Sequence, residues 1–293
     1  MKFHADCISC LTQGALRRSA CVQDEALKLE FMQGVARIMT GADPEYDSAP
    51  LVDARVIQLQ RSLLGLEDDY TQIKHQFNML VLGLYDRLRA KVDAAQDPLH
   101  AAIQLSMAGN YIDFGVLGNI DPDEALRMLD EAAERHVDPE EYACLRADLE
   151  KGGEVLFLHD NCGEVVLDML LIETIQKLYP EKKVVSVVRG GPILNDATIE
   201  DAREIGLCER VEVLENGLRD IAGTQMDMLP EDVRSRIENA CLVIAKGQGN
   251  FESLIDCGLN VYFLFLSKCP SYTQWFGFER FSGILKNAKR MDV

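Results

Sequence analysis

The pattern of apolar and polar positions divides the chain in two. Residues 9–150 read as almost entirely helical, with segments predicted over 13–40, 50–64, 67–95, 99–108, 122–135 and 139–149. Asp121-Pro122 and Asp138-Pro139 open the last two, each an N-cap acid followed by a proline at the first helical position. From Glu154 the period changes. Short apolar runs predict strands at 154–159, 183–188, 211–214, 241–245 and 261–266, separated by helices at 163–179, 198–205, 231–239 and 250–256. Repeated strand-helix units predict an α/β fold with a mainly parallel, doubly wound sheet. The change falls at Lys151-Gly152-Gly153, so residues 1–150 are expected as an N-terminal helical region and 151–293 as the α/β core. The helical part is either an appendage over the sheet's ligand edge or an independent unit.

Three predicted strands end in polar groups. The first runs from Phe157 into His159-Asp160-Asn161, after which Val165, Leu167, Leu170, Leu171, Thr174 and Leu178 follow helical spacing. The acid and the amide therefore sit on a strand-to-helix turn, at the sheet edge where α/β proteins bind ligands. The second strand leads into Arg189-Gly190-Gly191-Pro192-Ile193-Leu194-Asn195-Asp196, and the third into Lys246-Gly247-Gln248-Gly249-Asn250. Right-handed crossovers bring the carboxyl ends of parallel strands to one edge, so these segments are expected to converge.

Each site has a plainer reading. Asn161 with Glu164 fits a helix capping box, and Asp196 fits a turn or capping acid. Asp160 at the end of a buried strand needs a compensating charge, which Mg²⁺ or Mn²⁺ on carboxylate and amide oxygens would supply. The Lys246 segment is a phosphate cradle, or a tight turn whose helix Asn250 caps; it lacks Walker spacing. Asn110 and Asp113 either face the crevice or make a turn. Cys7 and Cys10 have half the spacing of a zinc site, with His4 and Cys21 nearby, and otherwise form a reducible disulfide or simply start a helix. His159 is expected to point to the opposite face from Asp160 and to pack or support, not to act as a base.

A formal charge of −18 opposes binding to a nucleic-acid backbone, and no clustered basic surface is found. The same charge requires an acidic protein that handles a phosphorylated metabolite to use a cation or a local basic cradle. The first residues lack a signal-peptide pattern, and no apolar run reaches the roughly 18 residues of a membrane span, so a cytoplasmic protein without a membrane partner is expected. Nine scattered cysteines, an odd number, fit a reducing compartment.

Taken together, Asp160-Asn161-x-Gly163-Glu164, Arg189-Gly190-x-Pro192-x-x-Asn195-Asp196-x-Thr198, Lys246-Gly247-x-Gly249-Asn250-Phe251-Glu252, Asn110-x-x-Asp113 and Cys7-x-x-Cys10 resemble the damage-control phosphatases, in particular their archaeal and bacterial single-domain branch. The resemblance implies a helical region packed on a Rossmann-like three-layer α/β/α core. It implies a phosphatase whose metal is held at Asp160, Asn161 and Asp196, with Mg²⁺, Mn²⁺, Co²⁺ or Ni²⁺ in support. It also implies that Lys246 anchors phosphate, that Gly247, Gly249 and Asn250 belong to the phosphate-binding segment, and that Asn110 and Asp113 line the pocket. Substrates would be sugar phosphates or damaged phosphorylated cofactor intermediates. The chain departs from the branch after Lys268-Cys269, where Pro-Ser-Tyr-Thr-Gln-Trp-Phe replaces a small apolar stretch. Two rival readings are a non-catalytic phosphometabolite sensor and, ranked last, an S-adenosylmethionine-dependent methyltransferase, which a Gly-x-Gly loop after the first strand would favour.

Overall fold

The structure is a computed structural model that describes residues 1–67, 69–109, 122–133 and 137–291. The helical part holds α1 (Ala5–Arg18), α2 (Glu25–Thr40), α3 (Ala49–Leu59), α4 (Thr71–Leu82), α5 (Tyr85–Ala94), α6 (Pro98–Ala108), α7 (Pro122–Ala133) and α8 (Pro139–Glu150). Two predicted long helices are therefore broken. The first divides at 19–24, where Asp24 accepts from the Ala26 and Leu27 amides and starts α2, and the second at Gly83-Leu84. α3 continues into a short π-helix at Gln60–Leu64.

The α/β part follows as β1 (Glu154–Leu158), α9 (Glu164–Leu178), β2 (Lys183–Val188), α10 (Ile199–Glu204), β3 (Glu212–Glu215), α11 (Glu231–Asn239), β4 (Leu242–Lys246), α12 (Gly247–Leu254), β5 (Val261–Leu266), α13 (Ser271–Phe276) and β6 (Gly283–Asn287). Among the described residues these strands form one sheet in the order 3-2-1-4-5-6. All pairs are parallel except β5 with β6, an antiparallel edge strand that the apolar pattern did not predict. The chain moves outward on one side from β1 and on the other from β4, so the topological switch point lies between these two strands.

Alternation along each strand sorts side chains between two cores. Val155, Phe157, Leu242 and Ile244 face α4–α10, whereas Leu156, Leu158, Val243 and Ala245 face α11–α13. Each such buried side chain contributes about 1.5–3 kcal/mol, which pins the register. The first core is continuous from Phe77 in α4 to Leu285 in β6: α6 and α8 pack on the sheet, α4 and α5 on α9, and α7 on α6. α1–α3 enclose a smaller cluster around Phe31, Val35 and Val56. No helix among the described residues is long and apolar enough to cross a membrane.

Candidate active site at the switch point

Register decides what meets at the carboxyl edge. Leu158 of β1 pairs with Val187 of β2 and Ala245 of β4, and extending both ladders by two residues sets Asp160 between Arg189 and Gly247. Gly247 has φ +80°, and a Cβ there would lie 2.0 Å from Asp160 Oδ2. Only glycine lets the carboxylate rest against this backbone. The loop after β2 folds back: Ala197 N donates to Asp160 O (2.7 Å), Cys162 N donates to Asn195 O (2.9 Å), and Asn161 bridges Asp196. Asp160, Asn161 and Asp196 thus come together from two loops.

Arg189 is the hub on this face. Its Nε donates to Asp196 Oδ2 (2.6 Å) and its Nη2 to Asp160 Oδ1 (3.4 Å). Its Nη1 donates to Gly223 O (2.9 Å) and to Asn250 Oδ1 (3.1 Å), which also accepts from Thr224 Oγ1 (2.8 Å). Asn250 Nδ2 in turn donates to Lys246 O (2.7 Å). Asn250 is therefore not a helix cap. α12 starts three residues earlier than predicted, directly from Lys246, and Asn250 is buried in its first turn. Asn161 likewise does not cap α9, whose N-cap is Gly163. Its Nδ2 donates to Asp160 Oδ2 (2.6 Å) and to Glu164 Oε2 (3.3 Å), so the amide's carbonyl oxygen faces away from both carboxylates.

On the other face of the sheet lies a second polar layer. Alternation sends Lys246 to the side of Leu242 and Ile244, under α6 and α9. There its ammonium donates to Ser106 O (2.8 Å), Asp168 Oδ1 (2.8 Å) and Glu164. Those three bonds use its three protons, and in this arrangement Lys246 has none left for a phosphate, contrary to the anchoring role expected for it. Asp168 also accepts from Ser106 Oγ (2.7 Å) and faces His159 Nδ1 (3.0 Å), while His159 Nε2 lies 3.1 Å from Ser186 Oγ. His159 supports from beneath, as its place on the strand implied.

The electrostatics of this centre are one-sided. Asp160, Glu164, Asp168 and Asp196 are all buried; with His159, which faces Asp168, counted as neutral, the cations that oppose them at this depth are Arg189 and Lys246. The neighbouring Lys74 is matched by Asp201 at 2.6 Å and adds nothing net. Two negative charges remain uncompensated. Burial, then Asp196 and Glu164, push the Asp160 carboxyl well above the usual range. Burial also raises Asp196 against the pull of Arg189, and raises Glu164 against that of Lys246. Asp168 is lowered: burial acts to raise it, but Lys246 and His159 outweigh that.

Asp160, Asn161 and Asp196 open into a cavity of about 670 Å³. Its other walls come from α1, the start of α3 and residues 268–275, with Gln248 and Gly249 at its floor. Lys246 and Asn250 do not line it. Asn110 and Asp113 lie outside the described residues. Cys7 and Cys10 line the cavity together with Cys269, and all nine cysteines are unbridged. His4 is stacked on Trp275 with ring centroids 4.1 Å apart. No group of three or more His, Cys, Asp or Glu side chains placed for an ion occurs among the described residues, so nothing among them completes a zinc site at Cys7 and Cys10, one of the readings left open for that pair. Sequence reasoning missed Arg189, Glu164 and Asp168 as parts of the centre. The i, i+4 spacing of Glu164 and Asp168 was the available signal, since it sets both acids on one face of α9.

Fold and site define a class: a doubly wound α/β protein with an acid-amide-acid centre at its switch point, facing a ligand-sized cavity. The profile of the damage-control phosphatase ARMT1-like domain matches residues 3–282, and the chain belongs to that family. A damage-control phosphatase of Archaeoglobus fulgidus is 32% identical over 280 residues, covering 92% of this chain and 93% of that protein. Damage-control phosphatase PH1575 of Pyrococcus horikoshii is 26% identical over 274 residues, covering 92% and 93%. The crystal structure of PH1575, described as a DUF89 family protein, shares the fold with a TM-score of 0.85 at 23% identity, covering 98% of this chain and 99% of that one. These relatives support a phosphatase role.

Proposed function

We propose that this chain is a divalent-metal-dependent phosphatase that hydrolyses phosphomonoesters of small metabolites. The observation that carries the reading is the charge imbalance: four buried carboxylates against two cations, beside a cavity at the switch point. One divalent cation balances it. Asp160, Asn161 and Asp196 offer carboxylate and amide oxygens, the donor set suited to Mg²⁺ or Mn²⁺, with Co²⁺ and Ni²⁺ as further candidates. Such an ion, when bound, neutralises charge that develops on the phosphoryl group in the transition state.

The chain's own groups supply the rest. Arg189 holds the Asp160 and Asp196 carboxylates, and Glu164 accepts from the Asn161 amide nitrogen and so fixes that side chain. The first turn of α12 brings the unpaired backbone N–H groups of a helix start to the cavity floor, a position that favours a phosphate oxygen. Lys246 acts from below by fixing Glu164 and Asp168. The substrates proposed are sugar phosphates or damaged phosphorylated cofactor intermediates, and the cavity volume suits molecules of that size.

The test is release of inorganic phosphate from a panel of phosphomonoesters, after chelation and again with each ion restored. The expected result is metal-restored turnover that falls at least about a thousandfold in Asp160→Asn while the fold is kept. Turnover in that variant within tenfold of wild type, or full turnover in excess chelator, rejects the proposal.

A further inference from the structure

The cavity wall carries a feature that the phosphatase reading does not use. Trp275 is the only tryptophan in the sequence, and it is the only aromatic residue among the described residues lining the cavity. It is held firmly. The ring stacks on His4 at 4.1 Å, meets Phe276 edge-on at 6.4 Å and lies tilted against Tyr272 at 6.1 Å. The buried Tyr272 hydroxyl donates to Glu252, itself a cavity residue, and Ser271 Oγ donates to Asp6 Oδ2 (2.7 Å), tying the start of α13 to α1. A rigid indole in an otherwise aliphatic and polar wall presents a flat apolar surface to whatever the phosphoryl group is attached to.

We propose that Trp275, backed by His4, is the specificity-determining residue of this cavity and selects phosphomonoesters whose carbon part is a ring with a flat C–H or π face. The inference rests on the phosphatase reading of the same cavity. Stacking on an indole is available to a pyranose or planar ring and not to a short acyclic chain.

Kinetics with glucose 6-phosphate, a ring ester, and glycerol 3-phosphate, an acyclic one, test it in wild type, Trp275→Ala and Trp275→Phe. Trp275→Ala is expected to raise KM for glucose 6-phosphate about tenfold, keep kcat within about twofold and leave both constants for glycerol 3-phosphate unchanged, with Trp275→Phe recovering most of the loss. Equal losses for the two esters, or none for either, overturn it. Trp275 emission separates this from failure of the phosphatase reading. A quench by glucose 6-phosphate that glycerol 3-phosphate does not produce supports the aromatic wall even in a protein that releases no phosphate. An equal quench by both, or no quench by either, overturns it.

Discussion

The two edges of the one sheet use the same kinds of side chain to opposite ends. At the amino edge, Glu154 of β1, Lys183 of β2, Glu212 of β3 and Arg236 of α11 alternate in sign: Arg236 meets Glu154 at 2.7 Å, and Lys183 meets Glu212 at 2.8 Å. All four reach solvent. Burial tends to raise the Glu154 carboxyl, but Arg236 and Lys183 bring it below its ordinary range, and they hold Glu212 down to about 2. At the carboxyl edge the acids outnumber the bases, their side chains are buried, and the carboxyls of Asp160, Asp196 and Glu164 rise. Matched charges in water are nearly neutral for stability, whereas unmatched charges out of water cost several kcal/mol. The first arrangement trims the surface; the second is the one that the proposed divalent cation would complete.

The sharpest way to break this contrast is at Asp196. Asp196→Asn removes one of the two excess charges together with a candidate ligand. Phosphate release is expected to fall about a thousandfold, and Mn²⁺, which is expected to raise the melting temperature of the wild-type protein, is expected to leave that of the variant unchanged. A metal-induced rise of the same size in the variant contradicts the role assigned to the acid pair. Gly247→Ala comes next. Its Cβ meets the Asp160 carboxylate at 2.0 Å in a left-handed backbone, so a stability loss of about 3 kcal/mol or more is expected in urea unfolding. A loss below about 1 kcal/mol means that Asp160 does not rest against this backbone.

Arg236→Met at the opposite edge has the smallest expected effect, at most about 1 kcal/mol at neutral pH. Its pH dependence has a definite sign. Glu212 is depressed on folding, so its contribution is present above an ordinary carboxyl value and is lost as pH falls toward about 2. The urea midpoints of variant and wild type should therefore differ at pH 7 and converge in acid. A gap that widens on acidification reverses the argument.

The elements nearest the site were the most legible. β1, β4 and α9 follow from uninterrupted apolar runs, and the convergence of Asp160, Asn161 and Asp196 follows from parallel topology. Strand alternation already carried a further consequence: Lys246 shares parity with Leu242 and Ile244, which directs it beneath α6 and α9 and away from the crevice. What escaped has physical causes. The break between α1 and α2 lies inside a continuing apolar period and shows only in the local capping chemistry of Asp24. β6 is short and pairs antiparallel at an edge, with no crossover helix to announce it. A fully buried Arg189 follows from partners contributed by distant segments, among them Gly223 in a loop and Asn250 in α12, which no local window contains.

The continuous core beneath α4–α9 also has a consequence for how the chain reaches this structure. β1 is flanked by β4, and their pairing awaits everything between them, so the centre of the sheet closes late and the protein belongs among slow, topologically complex folders. During synthesis the apolar stripe of α6 emerges well before β5 and β6, the strands it packs against. Polypeptides ending before Leu242 would leave the side of α6 that meets β5 and β6 uncovered, and fragments with apolar surface exposed in this way engage chaperones and aggregate.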